Sequence, residues 1–352
     1  MYKLTSLNVL EEFASVASNL ARGLEKLRDC EPIEIGNTPK QVVWKRDKVQ
    51  LFRYTRQAPA GINTPVLLVY ALVNRHDMMD LQEDRSFIRN LQANGADIYI
   101  LDWGYPSPED KYFTMDEYIN GYINDAVDEI RKQSGYNKIT IMGVCQGGTF
   151  SVIYTALQPE KIKNLVTLVT PVDFSPTGNM LSRWAKHLDV DALVDTHGII
   201  PGAFLNAGFE KLKPMLKTNK YISILGSLDK EEQVLNFLRM EKWIADSPHQ
   251  AGECFRQFVK DLYQQNKLIQ GTLVVGDRRV NLANITMPLL NIYAEQDHLV
   301  PPQSSIPLND FVGSTDKSLI NFSGGHIGVF VGSNSQKELA PGIAAWLKER
   351  DN

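Results

Sequence analysis

The sequence predicts an α/β fold: a mostly parallel sheet covered on both faces by helices and interrupted by a mostly helical insertion. Three observations carry that prediction. Short apolar runs such as "PVLLVYAL" (65–72) and "NLVTLVTPV" (164–172) have the continuous character of strands buried on both faces. Stretches of helical periodicity separate them at regular spacing, the sequence form of strand-helix-strand units. The rhythm stops after "TPVDF" and resumes only at "MPLLNIYAEQDHLVP".

Each element has its own warrant. Residues 6–28 place Leu7, Leu10, Phe13, Val16, Ala17, Leu20 and Leu24 at helical spacing, so an amphipathic helix and a linker are predicted over 1–40. Its apolar face can pack on its own domain or dock a partner subunit. Alternation in "VQLFRYTRQ" (49–57) predicts a strand, and 65–72 the next. "DRSFIRNLQANG" is a helix stopped by Gly95, and "DIYILDWG" a strand. Thr114 and Glu117 fit a capping box ahead of one apolar stripe: Met115, Tyr118, Ile119, Tyr122, Ile123, Ala126, Val127 and Ile130. "KITIMG" is the following strand, "GGTFSVIYTALQ" its helix, and 164–172 another strand. Residues 175–285 hold helical patterns, turns at Pro201, Gly202 and Pro214, and a short hairpin in "GTLVVGDRRVNL". "KSLINFSGGHIGVF" and a last helix ending "IAAWLKER" complete the sheet. The predicted core is 41–174 with 286–352, and 175–285 is a cap over the site.

Composition narrows the function classes. Thirty-seven Lys and Arg against 41 Asp and Glu give a net charge of -4, with no long run of either sign, so nothing favours nucleic-acid binding. Cys30, Cys145 and Cys254 are widely spaced and form neither a CxxC pair nor a zinc-type cluster. No metal is expected, and a reducing cytoplasm is the natural setting. The N-terminus lacks the basic start, apolar block and cleavage site of a secretory signal. No apolar run approaches the roughly 20 residues of a spanning helix, so a soluble intracellular protein is expected, with attachment to a lipid-like surface left open.

The chemistry centres on "ITIMGVCQGGTF" (139–150). Gly143-Val144-Cys145-Gln146-Gly147, between a strand and a helix, has the G-x-C-x-G form of a nucleophile elbow with cysteine in place of serine. Side chains at 143 and 147 would collide with the neighbouring helix and strand, and the helix N-terminus can stabilise a thiolate at 145. The Gln146 amide would face a developing oxyanion, with Val73 or Asn74 of "ALVNR" (71–75) supplying the second donor. A structural cysteine in a Gly-rich turn is the competing reading, and the agreement of strand, turn and helix contexts weighs against it. Such an elbow requires an acid and then a histidine on loops after later strands. Asp297 and His326 stand in those places, with Glu295 as an alternative acid and His298 on the acid loop. Gly324-Gly325 would free the His326 loop to approach the thiol. His76, His187, His197 and His249 read as structural, and Cys254, on a stripe with Phe255 and Phe258, reads as core. Cys145, His326 and Asp297 together mean acyl transfer through a thioester. Exchange with an acyl thioester donor would be nearly isoenergetic, transfer to an alcohol would run downhill, and a cap would keep water from the loaded group.

Seven segments, "VLLVYALVNR", "DIYILDWGYP", "GVCQGGT", "NLVTLVTPVDF", "FLRMEKWIADSPHQAGECFRQFVKDLYQQN", "LLNIYAEQDHLVPP" and "GGHIGVF", together resemble the catalytic subunits of polyhydroxyalkanoate synthases over residues 35–349. The resemblance implies an α/β-hydrolase-like fold and polymerisation of (R)-3-hydroxyacyl-CoA, typically 3-hydroxybutyryl-CoA, into a polyester with release of CoA. By the same resemblance Cys145 is the acylated nucleophile and His326 its base, while Asp297 either orients His326 or acts as base on the 3-hydroxyl of the incoming unit. No separate cofactor is implied, since CoA arrives on the substrate. Gln146 and the "DHLVPP" run resemble the class III type, which implies a second, non-catalytic subunit, homo- or hetero-oligomers and association with polyester granules in the cytoplasm. A cysteine hydrolase of a small ester or lactone, similar to dienelactone hydrolase, is the alternative enzyme. A non-catalytic granule-coating protein is the alternative outside enzymes.

Overall fold

The computed structural model describes residues 33–56, 59, 61–176, 180–212, 222–224, 227 and 230–351. The predicted amphipathic helix over 6–28 and Cys30 lie outside the described residues. Eight strands form the main sheet: β1 Lys40–Arg46, β2 Val49–Tyr54, β3 Val66–Val69, β4 Ile98–Asp102, β5 Ile139–Val144, β6 Ile162–Leu168, β7 Leu289–Ala294 and β8 Lys317–Phe322. Their order across the sheet is β1-β2-β4-β3-β5-β6-β7-β8. Strands β4 to β8 and β3 run parallel, and β1 and β2 add an antiparallel edge.

Alternation along the parallel strands feeds two cores. Leu67, Val69, Tyr99, Leu101, Ile139 and Ile141 point to one face; Val66, Leu68, Ile98, Ile100, Met142 and Val144 point to the other. Because both faces are covered, these strands read as unbroken apolar runs. The helices are α1 Phe87–Ala93, α2 Asn124–Ser134, α3 Cys145–Leu157, α4 Met180–His187, α5 Val190–His197, α6 Gly202–Leu212, α7 Glu231–Ala245, α8 Gly252–Gln257 and α9 Ala340–Glu349, beside shorter and non-α turns. Residues of α2 and α3 pack on the first face, and those of α1 and α9 on the second.

The first strand is absent from the sequence reading. β1, "KQVVWKR", is a charged edge strand whose side chains are exposed or half-buried, so it carries no apolar run to reveal it. Half of the Thr114–Glu117 box is present: the Thr114 amide donates to Glu117 Oε2 at 2.7 Å, while Thr114 Oγ1 accepts from the Asp116 amide at 3.2 Å. The helix it starts opens with a π-turn over Glu117–Ile123 before α2. Between β6 and β7 the described residues form α4 to α8 and two-residue ribbons, among them Val274–Val275 paired with Arg278–Arg279. Several hydrogen bonds fasten this region to the rest of the chain, three of them to loops and turns beside the sheet. Gln257 Oε1 accepts from the Met115 amide at 2.8 Å, Asp246 accepts from the Tyr105 hydroxyl at 2.8 Å, and Trp243 Nε1 donates to the Arg75 carbonyl at 2.7 Å.

The order β4-β3-β5 reverses direction at β3, because the chain moves one way to β4 and the other way to β5. Such a switch leaves a crevice at the carboxyl ends of the strands. The loops after β3, β5, β7 and β8 all leave at that edge.

Candidate active site

β5 passes into α3 with no intervening residue, and Cys145, the first residue of the helix, has φ +52°. A left-handed backbone costs a non-glycine residue about 1–3 kcal/mol, so the surroundings must enforce it. They do so by close approach. A Cβ on Gly147 would run into the carbonyl oxygens of Val69 and Tyr70, and one on Gly143 into the backbone of Gly148 and the side chain of Ser151. Gly148 is a third such position, since its Cβ would meet the Thr170 side chain. The elbow is thus clamped between β3 and its own helix, with the half-buried thiol at the helix N-terminus, where the dipole favours negative charge.

Asp297 follows β7 and His326 follows β8. The Asp297 side chain is 0 % exposed and both its oxygens are engaged. Oδ1 accepts from the Leu299 and Val300 amides at 2.8 and 2.9 Å, while Oδ2 lies 2.5 Å from His326 Nδ1. His326 is itself buried. Burial works to lower the pKa of its ring. The negative charge at Cys145, then that of Asp297, and hydrogen bonds to both outweigh burial and push it up to about 10.

Glu295, the alternative acid, points elsewhere: it accepts from Ser323 Oγ at 2.9 Å and Asn321 Nδ2 at 3.3 Å. Glu295→Gln should therefore leave CoA release within about twofold of the parent, measured under saturating substrate. The glycines before His326 act differently from expectation. Neither Gly324 nor Gly325 has a positive φ; Gly324 instead makes room for the Phe322 ring, which a Cβ would overlap at 2.6 Å.

The remaining histidines have their own places in the fold. His76 is buried with Nε2 3.5 Å from Lys40 Nζ, and burial lowers its pKa. His187 and His197 end α4 and α5, and His249 Nδ1 accepts from the Gly202 amide at 3.1 Å. His298 is the residue after Asp297. Cys254 is fully buried in the core with Phe258, and burial pushes its thiol pKa up. Among the described residues, His, Cys, Asp and Glu nowhere gather in threes fit to hold a metal.

Two tyrosines join the site that the sequence reading had not singled out. Burial, and secondly the charge at Cys145, raises the pKa of both Tyr70 and Tyr263. Tyr263 stands edge-on to Phe174 at 4.8 Å, in the region after β6. Both occur in the segments quoted above, but nothing in their spacing points to Cys145.

The loop after β3 carries Val73, half-buried, and Asn74, with φ +57°. Gln146 is the second residue of α3, so its amide has no carbonyl partner inside the helix. Its side chain turns the other way: Oε1 accepts from the Leu72 amide at 3.1 Å.

Comparison with known proteins places this geometry. The model of the alpha/beta hydrolase fold matches residues 64–333, and that of the poly-beta-hydroxybutyrate polymerase (PhaC) N-terminus matches 7–91. The poly(3-hydroxyalkanoate) polymerase subunit PhaC of Allochromatium vinosum is 50% identical over 97% of both chains. The chain belongs to the PhaC family. PhaC subunits of Thiocystis violacea and Synechocystis sp. are each 49% identical, over 97% and 98% of this chain and 96% and 92% of their own. Among solved structures, a monoacylglycerol lipase of Paleococcus ferrophilus has a TM-score of 0.54 at 18% identity, covering 85% of this chain and 99% of its own. A soluble variant of the Saccharomyces cerevisiae monoglyceride lipase has a TM-score of 0.55 at 12% identity, covering 91% and 99%. At those identities the lipases share the fold alone, and the PhaC relatives do not favour the hydrolase reading. No helix among the described residues of this PhaC family member is long and apolar enough to cross a membrane.

Proposed function

We propose that this chain polymerises (R)-3-hydroxyacyl-CoA, typically 3-hydroxybutyryl-CoA, into a polyester through an acyl group held on Cys145. The observation that carries the reading is a thiol, in place of a hydroxyl, on the elbow of a chain matched end to end by PhaC subunits. Loading begins with Cys145 Sγ attacking the thioester carbonyl. The new carbon–sulfur bond replaces the bond to CoA, and the imidazolium of His326 gives its proton to the departing CoA sulfur. Acylation then removes the charge that held His326 protonated. The neutral ring becomes the base that takes the proton of an incoming 3-hydroxyl as its oxygen attacks the acyl-enzyme. Departure of the Cys145 sulfur as thiolate restores the starting pair. Each step exploits one position at which negative charge appears.

Asp297 acts in this scheme as the orienter of His326. Full burial of its side chain, with both oxygens already bonded, favours that role over direct contact with a 3-hydroxyl. The amides of Gln146 and Val73 would hold the oxyanion. CoA enters as part of the substrate and leaves as product, and no further cofactor is required.

A second subunit, assembly of homo- or hetero-oligomers, and residence on cytoplasmic polyester granules belong to the same proposal, supported by relatives that are themselves named subunits. The test is CoA release from 3-hydroxybutyryl-CoA, with and without a co-expressed partner subunit. Insoluble polyester and a strong increase with the partner are expected. Accumulation of free 3-hydroxybutyrate would overturn the polymerase reading, and full activity alone would overturn the two-subunit one.

A further inference from the structure

The loop after β3 is gripped from two sides by side chains. From the elbow, Gln146 Oε1 accepts the Leu72 amide, one residue before Val73, at a place where both residues are buried. From the region after β6, Trp243 on α7 donates Nε1–H to the Arg75 carbonyl at 2.7 Å, and its ring is buried in the second core. Asn74 Nδ2, between these points, faces the Trp243 and Ile244 carbonyls at 3.5 and 3.4 Å. Arg75 is fixed further by a two-pronged pair with Asp102, at 2.5 and 2.7 Å. A segment with a left-handed residue at Asn74 has no regular secondary structure to hold it, so these contacts set where its amides point.

We propose that the side chains of Gln146 and Trp243 are positioning residues that aim the 71–75 loop at the reacting carbonyl, so that oxyanion stabilisation requires α7 to be seated. The inference rests on the acyl-transfer reading of Cys145. Neither side chain touches the substrate carbonyl in this scheme. Gln146 binds the loop backbone beside the donor, and Trp243 binds it from the far end. Misplacing a donor by about an ångström can cost on the order of a hundredfold in rate. The arrangement also gives α7 a role besides excluding water: an open site would be a poor acyl acceptor.

Two reactions of the same thiol separate this from a general structural effect. Acyl loading creates an oxyanion, whereas alkylation by iodoacetamide attacks a saturated carbon and creates none. In Gln146→Met the Leu72 amide loses its acceptor with little change in volume. Its maximal single-turnover CoA release should fall on the order of a hundredfold with KM within about twofold, while Cys145 alkylation stays near the parent rate. Trp243→Phe, which keeps the ring and removes the donor, should show the same split to a smaller degree, and decides the matter if Gln146→Met does not fold. Unchanged loading, or alkylation falling in step with loading, overturns the inference. A parent protein that alkylates at Cys145 but never loads an acyl group overturns the acyl-transfer reading instead.

Discussion

Cys145→Ala should abolish the acyl-enzyme: with radiolabelled 3-hydroxybutyryl-CoA no label is expected on the protein after denaturation, and CoA release should fall to background. The expectation follows from the elbow. Alanine tolerates the strained φ of +52° no worse than cysteine, and Gly143, Gly147 and Gly148 still fix the turn, so the fold persists and only the sulfur is lost. Removing a nucleophile typically costs on the order of a millionfold, far below detection in such an assay. Label found in the alanine variant would place the acyl group on another residue. Cys254 could not stand in, being buried in the core with its thiol pKa raised by that burial.

The second large effect is on pH dependence. His326 has a pKa near 10 against an ordinary value of 6.5, so the imidazolium that protonates departing CoA persists through neutrality. The sign is that of a raised base: the stabilisation of the charged ring is complete below 6.5 and is lost as pH rises through about 10. Loading by the parent should therefore hold through neutral pH and decline on an alkaline limb near 10. Asp297→Asn removes one charge and weakens one hydrogen bond that raise this pKa, while burial continues to lower it, so the limb must move to lower pH. At pH 7 the variant should still acquire label. Elongation should fall more steeply, since asparagine no longer holds His326 in the tautomer and orientation a base requires. A pH–rate profile of single-turnover CoA release, compared between parent and variant, checks both statements. An unmoved alkaline limb would remove Asp297 from the electrostatics of His326.

The elbow shows how legible the site was. Glycines at 143 and 147 are required by contacts that any strand-turn-helix of this form imposes, so the motif carried its geometry openly. The loop after a later strand favoured Asp297 and left Glu295 as an alternative, and what separates them is three-dimensional: one carboxylate meets His326, the other meets Ser323 and Asn321. Gly324 illustrates the opposite case. A glycine pair beside a functional residue invites an argument from backbone freedom, yet its first member answers to the Phe322 ring. Tyr70, Tyr263 and Trp243 were invisible as site residues because aromatic side chains at core-like positions look the same whether they face a thiol or other hydrocarbon.

Local periodicity, turn chemistry and chain order were enough to give the layered α/β architecture, the succession of buried strands, and the chain order of the candidate cysteine, acid and histidine. β1 escaped them for the same reason, as a charged edge strand has no apolar signature. Tertiary structure alone decided which acid meets His326, how Gln146 and Trp243 hold the loop after β3, and how far His326 is shifted from its ordinary pKa. Those depend on distances between segments far apart in the chain, and burial and charge act through space.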